Sequence, residues 1–420
     1  MTLHPILAAL RKHKAGAFLI GLQIALTLAI VCNIVFYVAQ QVQKIQRPTG
    51  LDENNLFLVT QSFVGAPGGD APAAVEQRDA LQLTDLATLR GLPDVADASA
   101  VSSLPLLRSG NTVQVALKPD QAHGMATANW FAGDQQVLKT LGLRLIAGRG
   151  FTDADVIHRA SGGKRWPAVV IVTKALADKL FPAGDALGKP IYLDGAGSPC
   201  TIVGVVGAML TAFPDSTGAW VGRSVLAPLR YDDADTLYAV RAKPGRLQAA
   251  MHSARKALFA SNPLRVIQSD GRYSQSGIHS FAELRVMGYA VDRFMVQVLT
   301  VVCLILLAVT AVGMTGLTSF WVAQRHKQIG IRRALGATRT NILHYFQVEN
   351  LLIAGGGCVA GIVLAVGINL ALMRVFAMDR MPVWYVIVGV LVVLALGQLA
   401  VFAPARRASN VPPVVATRSV

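Results

Sequence analysis

Gly184, Asp185, Gly188 and Lys189 present the glycines and the lysine of a phosphate-cradling loop. Such a loop needs backbone N–H groups around the phosphates, a Lys on their outer oxygens, and a Ser or Thr hydroxyl for magnesium. Here the spacing is one residue short and Pro190 stands where the hydroxyl belongs. A turn joining a helix to a strand accounts for the same residues. The eight histidines are scattered without metal-ligand spacing, and neither a G-x-S-x-G elbow nor an H-E-x-x-H pair occurs. Cys32, Cys303 and Cys358 lie in apolar runs where they act as small apolar residues, which leaves Cys200 alone outside them. No catalytic, cofactor or metal constellation is expected, and ATP turnover by this chain alone is not expected either.

The other concentration of chemistry is cationic. Between Gln324 and Glu349 the chain carries Arg325, Lys327, Arg332, Arg333 and Arg339, with no acid before Glu349. Ile329, Arg332, Arg333, Leu335 and Gly336 sit at offsets that a short helix would divide into an apolar and a basic edge. Two readings are open: an anchor that merely keeps a loop on the inner side of a membrane, or a surface that meets a partner.

The elements that hold this loop are apolar. A chain of 420 residues with 53% hydrophobic residues and a mean hydropathy of +0.47 is no ordinary soluble domain. Uncharged runs at 15–43, 294–324, 350–373 and 381–405 each exceed the roughly 20 residues a helix needs to cross the hydrocarbon core. Arg11, Lys12 and Lys14 precede the first run, the basic loop separates the second from the third, and Arg406, Arg407 and Arg418 follow the fourth. Both termini and that loop are therefore expected in the cytoplasm. These cations, set against Glu349, account for +10 of the +15 net charge, so the basic excess points to topology and lipid attraction, not nucleic acid. The first run is too long for a signal peptide and lacks a cleavage site, and His4–Leu10 is apolar enough to lie along the membrane surface. No run contains an ionisable group of the kind that ion channels and proton-coupled carriers place within the membrane.

The 250 residues from Lys44 to Arg293 balance 26 basic against 22 acidic residues and must fold outside the cytoplasm. Strands are expected at Leu51–Thr60, Val95–Val101, Thr112–Leu117, Ala168–Val172, Pro190–Leu193, Thr201–Val206, Leu237–Ala242 and Arg265–Gln268. Ser62–Ala74 has the composition of a loop. Helices are expected at Gln77–Leu89, Lys174–Leu180 and Leu247–Phe259. The alternation predicts a mixed α/β domain of the split βαβ kind. Phe281, Leu284, Met287, Val291 and Phe294 recur at helical intervals, so span two is expected to start outside the bilayer. Continuous from Ile278 to Gln324, it would extend about 70 Å at 1.5 Å per residue. In span three Gly357 and Gly361 form a small-xxx-small pair that either admits a neighbouring helix or only reflects the glycine content of membrane helices. Arg374, Asp379 and Arg380 fall in the short hairpin before span four.

Residues 328–343, QIGIRRALGATRTNIL, closely resemble the REIGIRRALGA-type signature of the MacB/FtsX family of ABC-transporter permeases. The opening ILAALRKHKAGAFLIGLQIAL, LGLRLIAGRGFTDAD at 141–155, VVIVTKALADKLFPAGDALGKPIYL at 169–193, TIVGVVG at 201–207 and APARRASNVPPVVATR at 403–418 are similar to other stretches of that family. Residues 56–135 match more loosely. The resemblance implies a membrane protein with four transmembrane helices and a large mixed α/β extracytoplasmic domain between spans one and two. It divides the chain at 1–43, 44–277, 278–324, 325–349, 350–373, 381–405 and 406–420. It implies that Arg325, Gln328, Ile329, Gly330, Arg332, Arg333, Ala334, Gly336 and Ala337 form a segment docking on a separate ATPase subunit. That ATPase, a dimer, would hold ATP and magnesium, with no cofactor in this chain.

A second permease copy, identical or paralogous, a periplasmic adaptor and membrane lipids are the other implied partners, in a bacterial inner membrane. The implied function is permease of an ABC transporter moving peptide, drug or lipoprotein cargo on the outer side. The alternatives are a lipoprotein-releasing permease, an FtsX-like regulator, or an external enzyme tethered by four spans. Gly336 is expected to allow close backbone approach, so that Gly336→Val would spare insertion but abolish transport. Gln328 stands where the family usually carries Glu. Either the change is neutral, since exposed pairs are worth about 0–1 kcal/mol, or a non-identical second permease retains the acid.

Overall fold

A computed structural model describes residues 14–119, 121, 124–160, 163, 165–268, 277–376 and 379–410. His4–Leu10, Arg11, Lys12, Pro412, Pro413 and Arg418 lie outside the described residues. The chain forms two compact units, Arg47–Val291 and the membrane segments on either side of it in sequence.

The external unit contains two sheets. The smaller is built from β1 (Leu56–Phe63), β2 (Val95–Ala100), β11 (Asp235–Ala242), β12 (Arg265–Val266) and β13 (Gly277–Ser280), in the order β12-β1-β11-β2 with β13 also on β1. Helix α1 (Lys14–Ile45) belongs to the membrane unit; α2 (Pro72–Arg90) links β1 to β2, and a later helix, Leu247–Ser261, links β11 to β12. With β11 antiparallel between β1 and β2, this is the expected split βαβ arrangement. Phe57, Val59, Leu86, Leu89, Tyr238, Val240, Ala254 and Leu258 form its core.

The larger sheet is inserted between β2 and β11. It comprises β3 (Asn111–Ala116), β4 (Ala126–Gly133), β5 (Leu145–Gly148), β6 (Ile157–Arg159), β7 (Val169–Thr173), β8 (Pro190–Leu193), β9 (Cys200–Val206) and β10 (Ser224–Tyr231). The order is β4-β3-β8-β9-β7-β10-β6, and β4 also pairs with β10, so the path from β4 to β10 closes on itself, with β6 left outside the ring on the end of β10. Short helices Val137–Leu141 (α3) and Lys174–Leu180 (α4) accompany it, and Leu247–Ser261 is α5.

Several expected boundaries move. The first strand starts at Leu56, not Leu51, because Asn55 takes φ 55°, outside the strand region. The strands β4 and β10 were not anticipated: one is rich in Ala, the other interrupted by Pro228. Span two does not run unbroken from Ile278. Gly277–Ser280 pairs with β1, and Ser280 then caps α6 (Phe281–Gly288) in a capping box with Glu283. Tyr289, at φ −108°, separates α6 from α7 (Ala290–Gln324). The external unit therefore runs to Val291 and takes in residues assigned above to span two.

Among the described residues, four helices are long and apolar enough to cross a membrane: α1 (Lys14–Ile45), α7, α9 (Arg339–Phe376) and α10 (Val383–Ser409). Helix α8 is His326–Ala334. Ile24, Leu28 and Cys32 of α1 pack with Met314, Ala354, Cys358 and Val393. Polar side chains join the helices: Thr27 and Thr310 share a 2.7 Å hydrogen bond, Asn33 donates to the Ala365 carbonyl, and Thr315 to that of Ala400. The uncharged runs are prolonged by ionisable residues that pair. Lys44 meets Asp292 at 2.9 Å, and Arg325 meets Glu349.

Candidate coupling surface

The basic loop folds as a helix, a stop and a second helix. Helix α8 ends in a Schellman motif: the Gly336 N–H donates to the Arg333 carbonyl and the Ala337 N–H to that of Arg332. Gly336 has φ +95°, which L side chains rarely adopt. Thr338 then caps α9, its hydroxyl accepting from the Asn341 N–H. Leu335-Gly336-Ala337-Thr338 is thus a complete instruction for ending one helix and starting the next. Among the described residues, nothing beyond its chain neighbours lies within 4 Å of a Cβ built on Gly336, so backbone conformation, not close approach, is what requires glycine. Residues 339–349, assigned above to the loop, are the first turns of α9.

Helix α8 is fixed by its inner face. Ile329 is buried with Val322, with Ile342, Tyr345 and Phe346 of α9, and with Val401, Ala405 and Ala408 of α10. Gly330 is buried beside it. At the helix entry the Arg325 guanidinium donates to both carboxylate oxygens of Glu349, at 3.0 and 2.9 Å. The pair is buried, with Glu349 only 2% exposed. Arg332 places its guanidinium 5.0 Å from the Tyr345 ring centre, a cation–π contact.

The remaining positions face outward. Lys327, Gln328, Ala334 and Gly336 are exposed, as are Ile331 and Leu335, which stand four apart on one side of the helix. Leu335 is 83% exposed and Ile331 49%. The expected division into one apolar and one basic edge is corrected: Ile329 points into the protein, Leu335 away from it, and the cations flank both. Glu349 and Tyr345, which hold Arg325 and Arg332, escaped the sequence reading because they lie a helix away. Arg333 and the half-buried Ala337 sit in the stop itself.

Gly357 and Gly361 pack within the chain. A Cβ on Gly357 would lie 2.8 Å from the Gly21 carbonyl oxygen, and one on Gly361 3.1 Å from the Ala25 Cα. The backbone of α1, with the Ile24 and Leu28 side chains beside it, thus leaves α9 no room for a side chain at either glycine.

Residues 17–257 match the MacB-like periplasmic core domain, and residues 300–413 the FtsX-like permease C-terminal domain. The chain is 28% identical over 423 residues to the macrolide export ATP-binding/permease protein MacB of Burkholderia cenocepacia (strain HI2424), covering 97% of this chain and 56% of that protein. It is 24% identical over 422 residues to the uncharacterized ABC transporter permease YvrN of Bacillus subtilis (strain 168), covering 97% and 96%. The chain therefore spans about half the length of the MacB relative and nearly all of the Bacillus permease. The crystal structure of the periplasmic region of MacB from Actinobacillus actinomycetemcomitans covers 58% of this chain and 96% of its own, at 16% identity and a TM-score of 0.32, a likeness too slight to bear on function. With more than half of its length in the first domain and the second domain following in order, the chain belongs to the MacB/FtsX family of ABC-transporter permeases.

Proposed function

We propose that this transmembrane ABC-transporter subunit couples ATP hydrolysis by a separate ATPase subunit to movement of a substrate on the outer side of a bacterial inner membrane. The observation that carries the proposal is the outward face of α8. Two large apolar side chains, Ile331 and Leu335, are presented to solvent on a helix whose opposite face is locked into the membrane unit by Ile329 and the Arg325–Glu349 pair. An anchor needs only cations; a rigid helix with an unpaired apolar edge is suited to passing a push from a partner to the spans. Gln328 lies in the first turn of α8, and Ala334, Gly336 and Ala337 at its end. A dimeric ATPase holding ATP and magnesium, a second copy of this permease and a periplasmic adaptor complete the machine. Macrolide export, in the name of one relative, suggests a hydrophobic small molecule as cargo, with peptide and lipoprotein as the competing classes.

Affinity purification of the tagged full chain from native membranes tests this reading. The wild type is expected to recover an ATPase, and Leu335→Asp to lose it while keeping the same detergent-solubilised size and melting profile. Recovery of the ATPase by the Leu335→Asp variant at wild-type yield would show that α8 is an anchor.

A further inference from the structure

Helix α2 has an unusual buried face. Arg78, Asp79, Gln82 and Asp85 are all turned inward. Arg78 donates from Nε to the Asp232 carbonyl, and Gln82 to the Tyr231 carbonyl, so the helix is docked through polar groups on the end of β10. Strand β6 lies on the other side of that end, with His158 opposite Arg230 in register. Three potential ligands meet there from three separate segments: Asp79, His158 and Asp232 offer one oxygen or nitrogen each, all within 4.8 Å of one another.

His158 stands between carboxylates. Its Nδ1 lies 2.9 Å from Asp232 Oδ2, and its Nε2 lies 3.7 Å from the exposed Glu76 Oε1, beyond hydrogen-bond reach. A neutral imidazole has one donor and one acceptor. With its proton on Nδ1 the ring donates to Asp232; with its proton on Nε2 the Nδ1 lone pair faces that carboxylate, an arrangement that a cation between them suits. Asp232 carries the mismatch: its side chain is 0% exposed, and its Oδ1 is buried with no hydrogen-bond partner among the described residues. Arg230 reaches Asp79 at 2.5 Å and so offsets one carboxylate of the two.

We propose that Asp79, His158 and Asp232 form a binding site for a divalent transition-metal ion of the zinc class, with Glu76 orienting the imidazole from behind. Zinc takes imidazole nitrogen and carboxylate oxygen at about 2.0–2.2 Å, and His158 Nδ1 and Asp232 Oδ2, 2.9 Å apart, with an Asp79 oxygen within 4.8 Å of both, can close on one ion with small side-chain movements. A histidine that ligates through one nitrogen ordinarily donates its other N–H to a carboxylate, the place Glu76 occupies. The mixed oxygen and nitrogen set favours zinc over calcium or magnesium, which prefer oxygen alone. The ion would tie the helix covering the smaller sheet to the end strand of the larger one. The absence of metal-ligand spacing in the sequence is no guide here, because the ligands lie 79 and 74 residues apart along the chain.

Cobalt, which substitutes for zinc and is coloured, tests the site in the detergent-solubilised full chain after chelator treatment. The expected result is one equivalent of Co²⁺ with visible d–d bands, displaced by Zn²⁺, and a melting temperature raised by Zn²⁺. His158→Gln and Asp232→Asn should each weaken binding by more than the roughly 100-fold upper range for outer-shell changes, while the exposed His252→Gln leaves it intact. His158 is half-buried, so its variant serves if Asp232→Asn fails to fold. Failure to bind one equivalent, or binding that survives His158→Gln, would overturn the site. Either outcome would leave the α8 docking proposal untouched, since that rests on ATPase recovery.

Discussion

At the scale of single residues, the most consequential feature is the buried Arg325–Glu349 pair. Arg325 Nη1 shared between both Glu349 oxygens, at 3.0 and 2.9 Å in a low-dielectric setting, makes a strong contact, yet two desolvated charges cost nearly what they return. The test is therefore in breaking it. Glu349→Gln strands a buried guanidinium and is expected to cost about 3–5 kcal/mol, lowering the melting temperature in detergent. The double change Arg325→Met with Glu349→Leu should recover most of that loss, and a double variant as unstable as the single one would contradict this account. The pair also bears on Gln328: with Arg325 already neutralised from α9, a Glu at 328 has less repulsion to relieve than the sequence suggested. Gly336 offers a second test. Its φ of +95° makes any Cβ costly, by about 1–2 kcal/mol in the left-handed region, and open space surrounds it within this chain. Gly336→Ala should then impair the protein, whereas Gly336→Asn, which tolerates that region better, should retain more stability and ATPase coupling. Equal effects of the two would point to bulk at a docking face instead. The run at 141–155 also has a local cause. Arg149 Nη1 holds Asp155 at 2.6 Å, Thr152 forms a capping box with that same Asp, and the Arg149 contact keeps the Asp155 carboxyl well below the usual carboxylate range.

At the scale of elements, what was legible in the sequence had a local cause. Lys174–Leu180 and Pro190–Leu193 lie where periodicity placed them, and the four spans follow from uninterrupted apolar runs. What was missed depends on partners remote in sequence. Strand β4, ATANWFAG, has no alternation because it is buried along nearly its whole length, with α4 and Ala219–Gly222 packed against it. Helix α2 carries its polar residues inward, where Asp85 is met by Arg265, Gln61 and Tyr238; no single-helix pattern reveals such a partnership. The break at Tyr289 was hidden because the apolar spacing continues through it. Close packing of α1 and α9 gives this scale its prediction. Gly361→Val would press on the Ala25 backbone, 3.1 Å away, whereas a Cβ on Gly355 meets nothing within 4 Å. Overpacking of this kind costs about 1–3 kcal/mol. Gly361→Val should therefore lower the melting temperature of the solubilised chain and Gly355→Val should not. Similar losses in both would mean that glycine content, and not this contact, stabilises the helices.

At the scale of the whole molecule, the chain is a multi-pass membrane protein with an external α/β domain between its first two spans, and the proposed mechanism requires α8 to sit on the opposite side from that domain. Charge assigns those sides: the basic loop holds five cations and the external segment is nearly balanced. Single cysteines can read the arrangement directly. Ser102, an obvious choice from sequence, is a poor reporter because its hydroxyl accepts a hydrogen bond from the Ala132 N–H, and Ser274 lies outside the described residues. Lys256, exposed on α5, and Thr338, exposed at the start of α9, are better placed. Among native thiols, Cys200 competes little: it is buried, and burial pushes it up to about 11, so its reactive thiolate is scarce. In a background with the three span cysteines replaced, an impermeant maleimide applied to intact cells, or to spheroplasts where an outer membrane blocks access, should label Lys256→Cys. Thr338→Cys should stay unlabelled until the membrane is permeabilised. Labelling of Thr338→Cys in sealed cells would place α8 outside, beyond the reach of any cytoplasmic ATPase, and coupling through this helix would then be impossible whatever the family's other members do.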